Sequence, residues 1–136
     1  MIRPIMRDVF FLAQKSEPAT KDDMSVVKDL LDTLAANRER CVGMAANMIG
    51  VKKNIIVVSM GPINVAMLNP KIVKRTGRYE TEESCLSLEG VRKTTRYQEI
   101  VVEYQDQNFV KQRQKYSGWI AQIIQHEVDH TNGIVI

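Results

Sequence analysis

The only two histidines of this chain, His126 and His130, stand four residues apart around Glu127 in the segment Gln125-His126-Glu127-Val128-Asp129-His130. Trp119, Ile120, Ile123, Ile124 and Val128 recur at helical spacing through the same stretch, with Gly118 before it and Gly133 after it. Residues i and i+4 of a helix lie on one face, a turn apart. Both imidazoles must therefore point the same way, next to an apolar stripe that needs burial. Any fold open to this chain has to pack its other elements over a C-terminal helix while leaving room around two polar rings.

The remaining sequence supplies those elements. Residues 1–19, with Pro4 and Pro18, read as an irregular arm. Thr20 caps a helix, with Asp23 in its first turn, and Val26, Val27, Leu30, Leu31 and Leu34 give that helix one apolar face through about Asn37. The glycine-rich segment 41–50 leads into a buried strand at Asn54–Val58. Ile63–Leu68 and Ile72–Lys74 read as further strands separated by Asn69-Pro70, and Gly77 marks a turn. Val91–Tyr104 reads as two strands around Thr94-Thr95, and Ile134–Ile136 as a short extended piece. Strands first and one long helix after them predict an α+β fold in a single domain over residues 1–136.

Composition narrows the function. The net charge is +3 and the Lys and Arg residues are scattered, so no DNA-binding or membrane-surface tract is present. The longest N-terminal apolar run, Val9–Ala13, is too short for a signal-peptide core, which predicts a cytoplasmic protein. In a reducing compartment at least one of Cys41 and Cys85 is better read as a ligand or nucleophile than as half of a disulfide.

Two histidines flanking a glutamate at this spacing bind a divalent metal, with the glutamate as general base toward water. A catalytic site of this kind takes three protein ligands. Only six residues follow His130, none of them acidic or histidine, so an upstream third ligand is expected rather than the downstream one of a zinc endopeptidase. Cys85, Cys41 and several carboxylates are candidates. Thiolate chemistry favours a cysteine, and Cys85 lies in a polar break, Glu82-Glu83-Ser84-Cys85-Leu86-Ser87-Leu88-Glu89-Gly90.

Three segments in register resemble the peptide deformylase family: Cys41-Val42-Gly43-Met44-Ala45-Ala46-Asn47-Met48 is similar to its G-x-G-[LM]-A-A-x-Q motif, Glu83-Ser84-Cys85-Leu86-Ser87 to its E-G-C-L-S motif, and His126-Glu127-Val128-Asp129-His130 to its H-E-x-D-H motif. Thr94-Thr95-Arg96-Tyr97 also resembles the V-P-R-Y stretch after the second motif. The resemblance implies antiparallel sheets packed around the motif-bearing helix. It implies Cys85, His126 and His130 as metal ligands, Glu127 as acid/base and the Leu86 backbone N–H as an oxyanion donor. It further implies Gly43 as a backbone partner for an extended peptide, with Met44 and Ile123 lining the pocket for the substrate's methionine. The implied reaction removes formyl from the N-terminal formyl-Met of nascent proteins at the ribosome. The implied cofactor is one divalent ion: Fe²⁺ in the cell, Zn²⁺ or Ni²⁺ in purified protein. A monomer or weak homodimer is expected.

The chain departs from the family pattern at Met48, where the motif has the glutamine that donates to the oxyanion. Methionine cannot donate, and losing one such donor costs about 2.7–4 kcal/mol. The expectation is a slow deformylase. The alternative is an inactive relative that keeps the metal site and binds N-terminal peptides. Asn47 offers an amide one residue away, although neighbours in sequence point in different directions. Ser84 replaces the glycine of the second motif, and Asp129 either orients a ligand or is a solvated helix carboxylate.

Overall fold

A computed structural model describes all residues from Met1 to Ile136. Three α-helices, α1 (Val9–Leu12), α2 (Met24–Ala36) and α3 (Gly118–Thr131), accompany five strands: β1 (Gly43–Ala45), β2 (Ile55–Met60), β3 (Ile63–Glu83), β4 (Arg92–Gln105) and β5 (Lys111–Ser117). The strands form one antiparallel sheet in the order β1-β2-β3-β4-β5.

The run Ile55-Ile56-Val57-Val58 explains the layering. All four residues are buried. Alternate side chains of a strand leave on opposite faces. Ile55 and Val57 pack with Val27, Leu30 and Leu34 of α2, whereas Ile56 and Val58 pack with Ala121, Ile124 and Val128 of α3. A strand covered on both faces reads as continuously apolar. The sheet therefore separates two cores, one under each long helix.

The helix start at Thr20 is present: Thr20 and Asp23 form a reciprocal capping box ahead of α2, and Asn37 ends that helix. The N-terminal arm is not wholly irregular, since Asp8 caps the short α1. The arm lies over the end of α3, where Ser16 N–H donates to the Thr131 carbonyl at 2.8 Å. Gly133, at φ +76, stops α3, and a Cβ there would sit 2.6 Å from the Ala13 carbonyl oxygen. Glycine is required by conformation and by space.

Three strand expectations change. The segments 63–68 and 72–74 belong to one strand running on to Glu83, and the break expected at Asn69-Pro70 is a register irregularity, with Asn69 at φ 52. Gly77 lies inside that strand and makes no turn. Residues 92–105 are one strand, so Thr94-Thr95 interrupts nothing. Ile134–Ile136 pairs with no strand. β5, Lys-Gln-Arg-Gln-Lys-Tyr-Ser, has no apolar alternation to announce it; it is held by its ladder with β4.

Candidate metal centre

β3 ends at Glu83 and delivers Cys85 two residues later, while α3 carries both histidines inward. The ligand atoms of Cys85, His126 and His130 all lie within 4.8 Å of one another, and the two imidazole centroids are 4.6 Å apart. Cys41, the other cysteine considered as third ligand, is not in this group. Its thiol instead donates to the Gly43 carbonyl at 2.8 Å, and burial together with the nearby Glu127 pushes it up to about 12.

A buried polar frame holds the group. Glu83 Oε1 is 2.7 Å from His126 Nδ1, which leaves Nε2 of that ring for another partner. Arg96 bonds both oxygens of Glu83, at 2.6 and 2.9 Å, and donates from Nη1 to Asp129 Oδ2 at 2.7 Å. Gln122 Nε2 donates to Glu83 Oε2 at 2.9 Å. Burial opposes the charge on Glu83, but bonds from His126, Arg96 and Gln122 outweigh it and hold the carboxyl at about 2. Burial lowers His126 while Cys85 and Glu83 raise it, with a net value of about 10. His130 is held neutral, at about 3, by burial and by the neighbouring His126.

Glu127 is buried beside these three residues. Burial, before any charge, raises its carboxyl to about 7, a value suited to proton transfer near neutral pH. Its Oε1 and both ring nitrogens of His130 are buried without a hydrogen-bond partner in the protein. Buried polar atoms are rarely left unpaired. A thiolate and two imidazoles suit a borderline divalent cation, so the residues present fit such an ion.

A cleft of about 440 Å³ opens onto this group, walled in part by Gly43, Met48, Leu86, Trp119, Ile123 and Glu127. Ile123 takes the place expected of it, one turn before His126. Met44 does not. It is fully buried in the core on the α2 side, because strand alternation sends residues 43 and 45 toward α3 and residue 44 to the opposite face. Met48 faces the cleft. Asn47 does not line it: its Nδ2 donates to the His130 carbonyl at 2.9 Å, so its amide cannot stand in for the missing glutamine.

Two backbone features complete the cleft. The Leu86 N–H has no acceptor within the protein. Ser59 N–H donates to Val42 O at 2.8 Å, in register with Gly43↔Val58. Hydrogen-bonded and non-bonded pairs alternate along an antiparallel ladder, so the N–H and C=O of Gly43 point away from β2, toward the free edge of the sheet.

Sequence reasoning identified no role for Glu83, Arg96 or Gln122. No local pattern marks the pair: Glu83 ends β3 and Arg96 lies inside β4, and their side chains meet only in the packed structure. Asp129, left open between two roles, bonds Arg96 and so braces the frame.

A helix bringing two imidazoles and a carboxylate to a cysteine just past the end of a strand defines a metal-dependent hydrolase. The family model described as Polypeptide deformylase matches residues 3–136, and the chain belongs to that family. A peptide deformylase of Clostridium beijerinckii is 61% identical over 136 residues, covering all of both chains. Crystal structures agree in fold. A peptide deformylase from Legionella pneumophila superposes with a TM-score of 0.87 at 30% identity, over 98% of this chain and 82% of that one. One from Thermotoga maritima gives 0.89 at 26% identity, over 99% and 95%.

Proposed function

We propose that this deformylase hydrolyses the formyl amide of N-terminal formyl-methionine on nascent proteins, with Cys85, His126 and His130 holding the cation and Glu127 moving the proton. The observation that carries the assignment is the convergence of those three ligand atoms within 4.8 Å, beside a buried carboxylate. When bound, a divalent cation there supplies Lewis acidity, polarising the formyl carbonyl and acidifying water.

The chain's own residues do the rest. An extended substrate adds to the free edge of β1 through the N–H and C=O of Gly43. Ile123 packs against its methionine side chain. Glu127 accepts a proton from the attacking water as the new C–O bond forms at the formyl carbon. The Leu86 N–H donates to the developing oxyanion. Glu127 then passes its proton to the amine nitrogen as the C–N bond breaks, releasing formate and a free N-terminus.

Met48 contributes no donor to that oxyanion, so turnover is slow relative to a glutamine-bearing site. In the cell the ion is Fe²⁺, with Zn²⁺ or Ni²⁺ taken up during purification, and the chain acts in the cytoplasm on peptides leaving the ribosome, as a monomer or weak homodimer. Formyl-Met-Ala-Ser hydrolysis, assayed anaerobically with Fe²⁺ and separately with Zn²⁺, tests the assignment. Turnover no faster than the ion-free control with both metals overturns it in favour of a peptide-binding relative.

A further inference from the structure

We infer that Asn47 and Ser87 hold one buried water against His130, and that this water decides which ring nitrogen of His130 is left for the cation. The inference rests on His130 being a ligand, as proposed above.

A second cavity, of about 10 Å³, lies behind the ligand group, walled by Asn47, Cys85, Ser87 and His130 together with apolar residues such as Leu12 and Leu88. His126 does not line it, so it is not the space between the three ligands. Asn47, Ser87 and His130 are each at most 4% exposed. Asn47 Oδ1, Ser87 Oγ and both His130 nitrogens have no hydrogen-bond partner in the protein. Four of the six unpartnered buried side-chain atoms thus belong to residues that line this one cavity. A water needs roughly 10–15 Å³ of such room and two to four polar partners, and this cavity offers both.

The orientation of Asn47 is fixed by chemistry. Its partner, the His130 carbonyl, can only accept, so the atom 2.9 Å from it is the amide nitrogen. Oδ1 is then an acceptor. A water donating to Asn47 Oδ1 and sharing a bond with Ser87 Oγ keeps a lone pair for a ring N–H of His130. A neutral imidazole has one N–H and one lone pair. Placing the N–H toward the water leaves the other nitrogen free to bind the ion. Glu83 does the same for His126 directly, at 2.7 Å. The two ligand rings are therefore oriented by different devices, one a carboxylate and one a water. Asn47 grips His130 at both ends, through its carbonyl and, across the water, through its ring. The Ile136 backbone acts on His130 as a hydrogen-bonding neighbour, although neither ring nitrogen has a partner in good geometry; it is the competing partner, with Glu127 Oε1 3.6 Å from Nδ1.

The test combines a high-resolution crystal structure of the Zn²⁺-loaded protein with Zn²⁺ affinity, read by competition with a chromophoric chelator. One ordered water within hydrogen-bond reach of Asn47, Ser87 and His130 is expected. Ser87→Ala should raise the Kd for Zn²⁺ about 10-fold, and Asn47→Leu up to about 100-fold, in the range for partners that orient a ligand histidine. The Co²⁺ absorption spectrum should shift in both variants, since ring orientation changes. An unchanged Zn²⁺ affinity in a folded Ser87→Ala protein overturns the inference, as does a wild-type structure in which His130 bonds the Ile136 carbonyl with no water present. If Asn47→Leu does not fold, the wild-type structure and Ser87→Ala still decide. Formyl-Met-Ala-Ser turnover by the wild type is scored separately, so an inactive protein with the water in place sinks only the proposed function.

Discussion

Glu83 Oε1 and His126 Nδ1 meet at 2.7 Å across 43 residues of sequence, one at the end of β3 and the other in the middle of α3. The contact joins sheet to helix at the point where Cys85, His126 and His130 converge, and it leaves Nε2 as the free nitrogen of His126.

Glu83→Gln should weaken Zn²⁺ binding by about 10–100-fold, because an amide orients the ring less firmly than a carboxylate. The carboxyl sits at about 2 in the folded chain against 4.5 for the free group. Its stabilising contribution is therefore present above pH 4.5 and lost as pH falls toward 2. Wild type should show a steeper acid limb in Tm against pH than Glu83→Gln; parallel curves would contradict this.

Arg96 is the other half of the frame. Its side chain and that of Glu83 are 4% and 7% exposed, so Arg96→Leu strands a buried carboxylate. The expected loss is about 3–5 kcal/mol in urea unfolding. Adding Glu83→Leu to Arg96→Leu should restore part of it, since the unpaired charge is gone. No recovery in the double variant would show that Arg96 acts by packing alone.

Glu127→Gln should abolish formyl-Met-Ala-Ser turnover and yet stabilise the ion-free protein. The folded carboxyl titrates at about 7 and the free group at 4.5. The folded state thus holds the extra proton between those values, and ion-free stability falls as pH rises through that window, then levels off above it. At pH 8 the variant should gain on the order of 3 kcal/mol over wild type. Equal Tm values at pH 8 would refute the burial argument while leaving the catalytic one to the assay.

Met48→Gln restores a donor in the wall of the cleft. The rate should rise, by up to about 10²–10³-fold if the amide reaches the oxyanion. A rate no higher than wild type would mean that Leu86 and the ion already satisfy that oxygen.

Gly43→Ala places a Cβ 2.7 Å from Ile123 Cγ2 and 3.0 Å from Glu127 Oε2. Both the pocket wall and the base must move, and displacement of about 1 Å from reactive geometry can cost about 10²-fold. A drop in kcat/KM of that order, with the fold intact by circular dichroism, is expected. Near-normal kinetics would place the substrate away from this edge.

The sequence by itself determined what depends on local geometry. The four-residue spacing puts His126 and His130 on one face of α3 whatever surrounds them, Thr20 and Asp23 form their box within one turn, and Gly133 has to end the helix. It also pointed to Cys85 as the partner of the two histidines, through three motifs in register, and the structure brings the three side chains together. What only the tertiary structure decided depends on pairing between distant segments: β5 is a strand because β4 offers it a ladder, and Met44 leaves the pocket for the core because of the face that β1 turns to α2. Asn47 is taken up by the His130 carbonyl, 83 residues away, and Glu83, Arg96 and Asp129 meet only where sheet and helix cross. Helical periodicity is written in neighbouring residues, whereas a buried polar network is selected by whichever partners the packed chain brings within hydrogen-bond reach, and no local pattern encodes that.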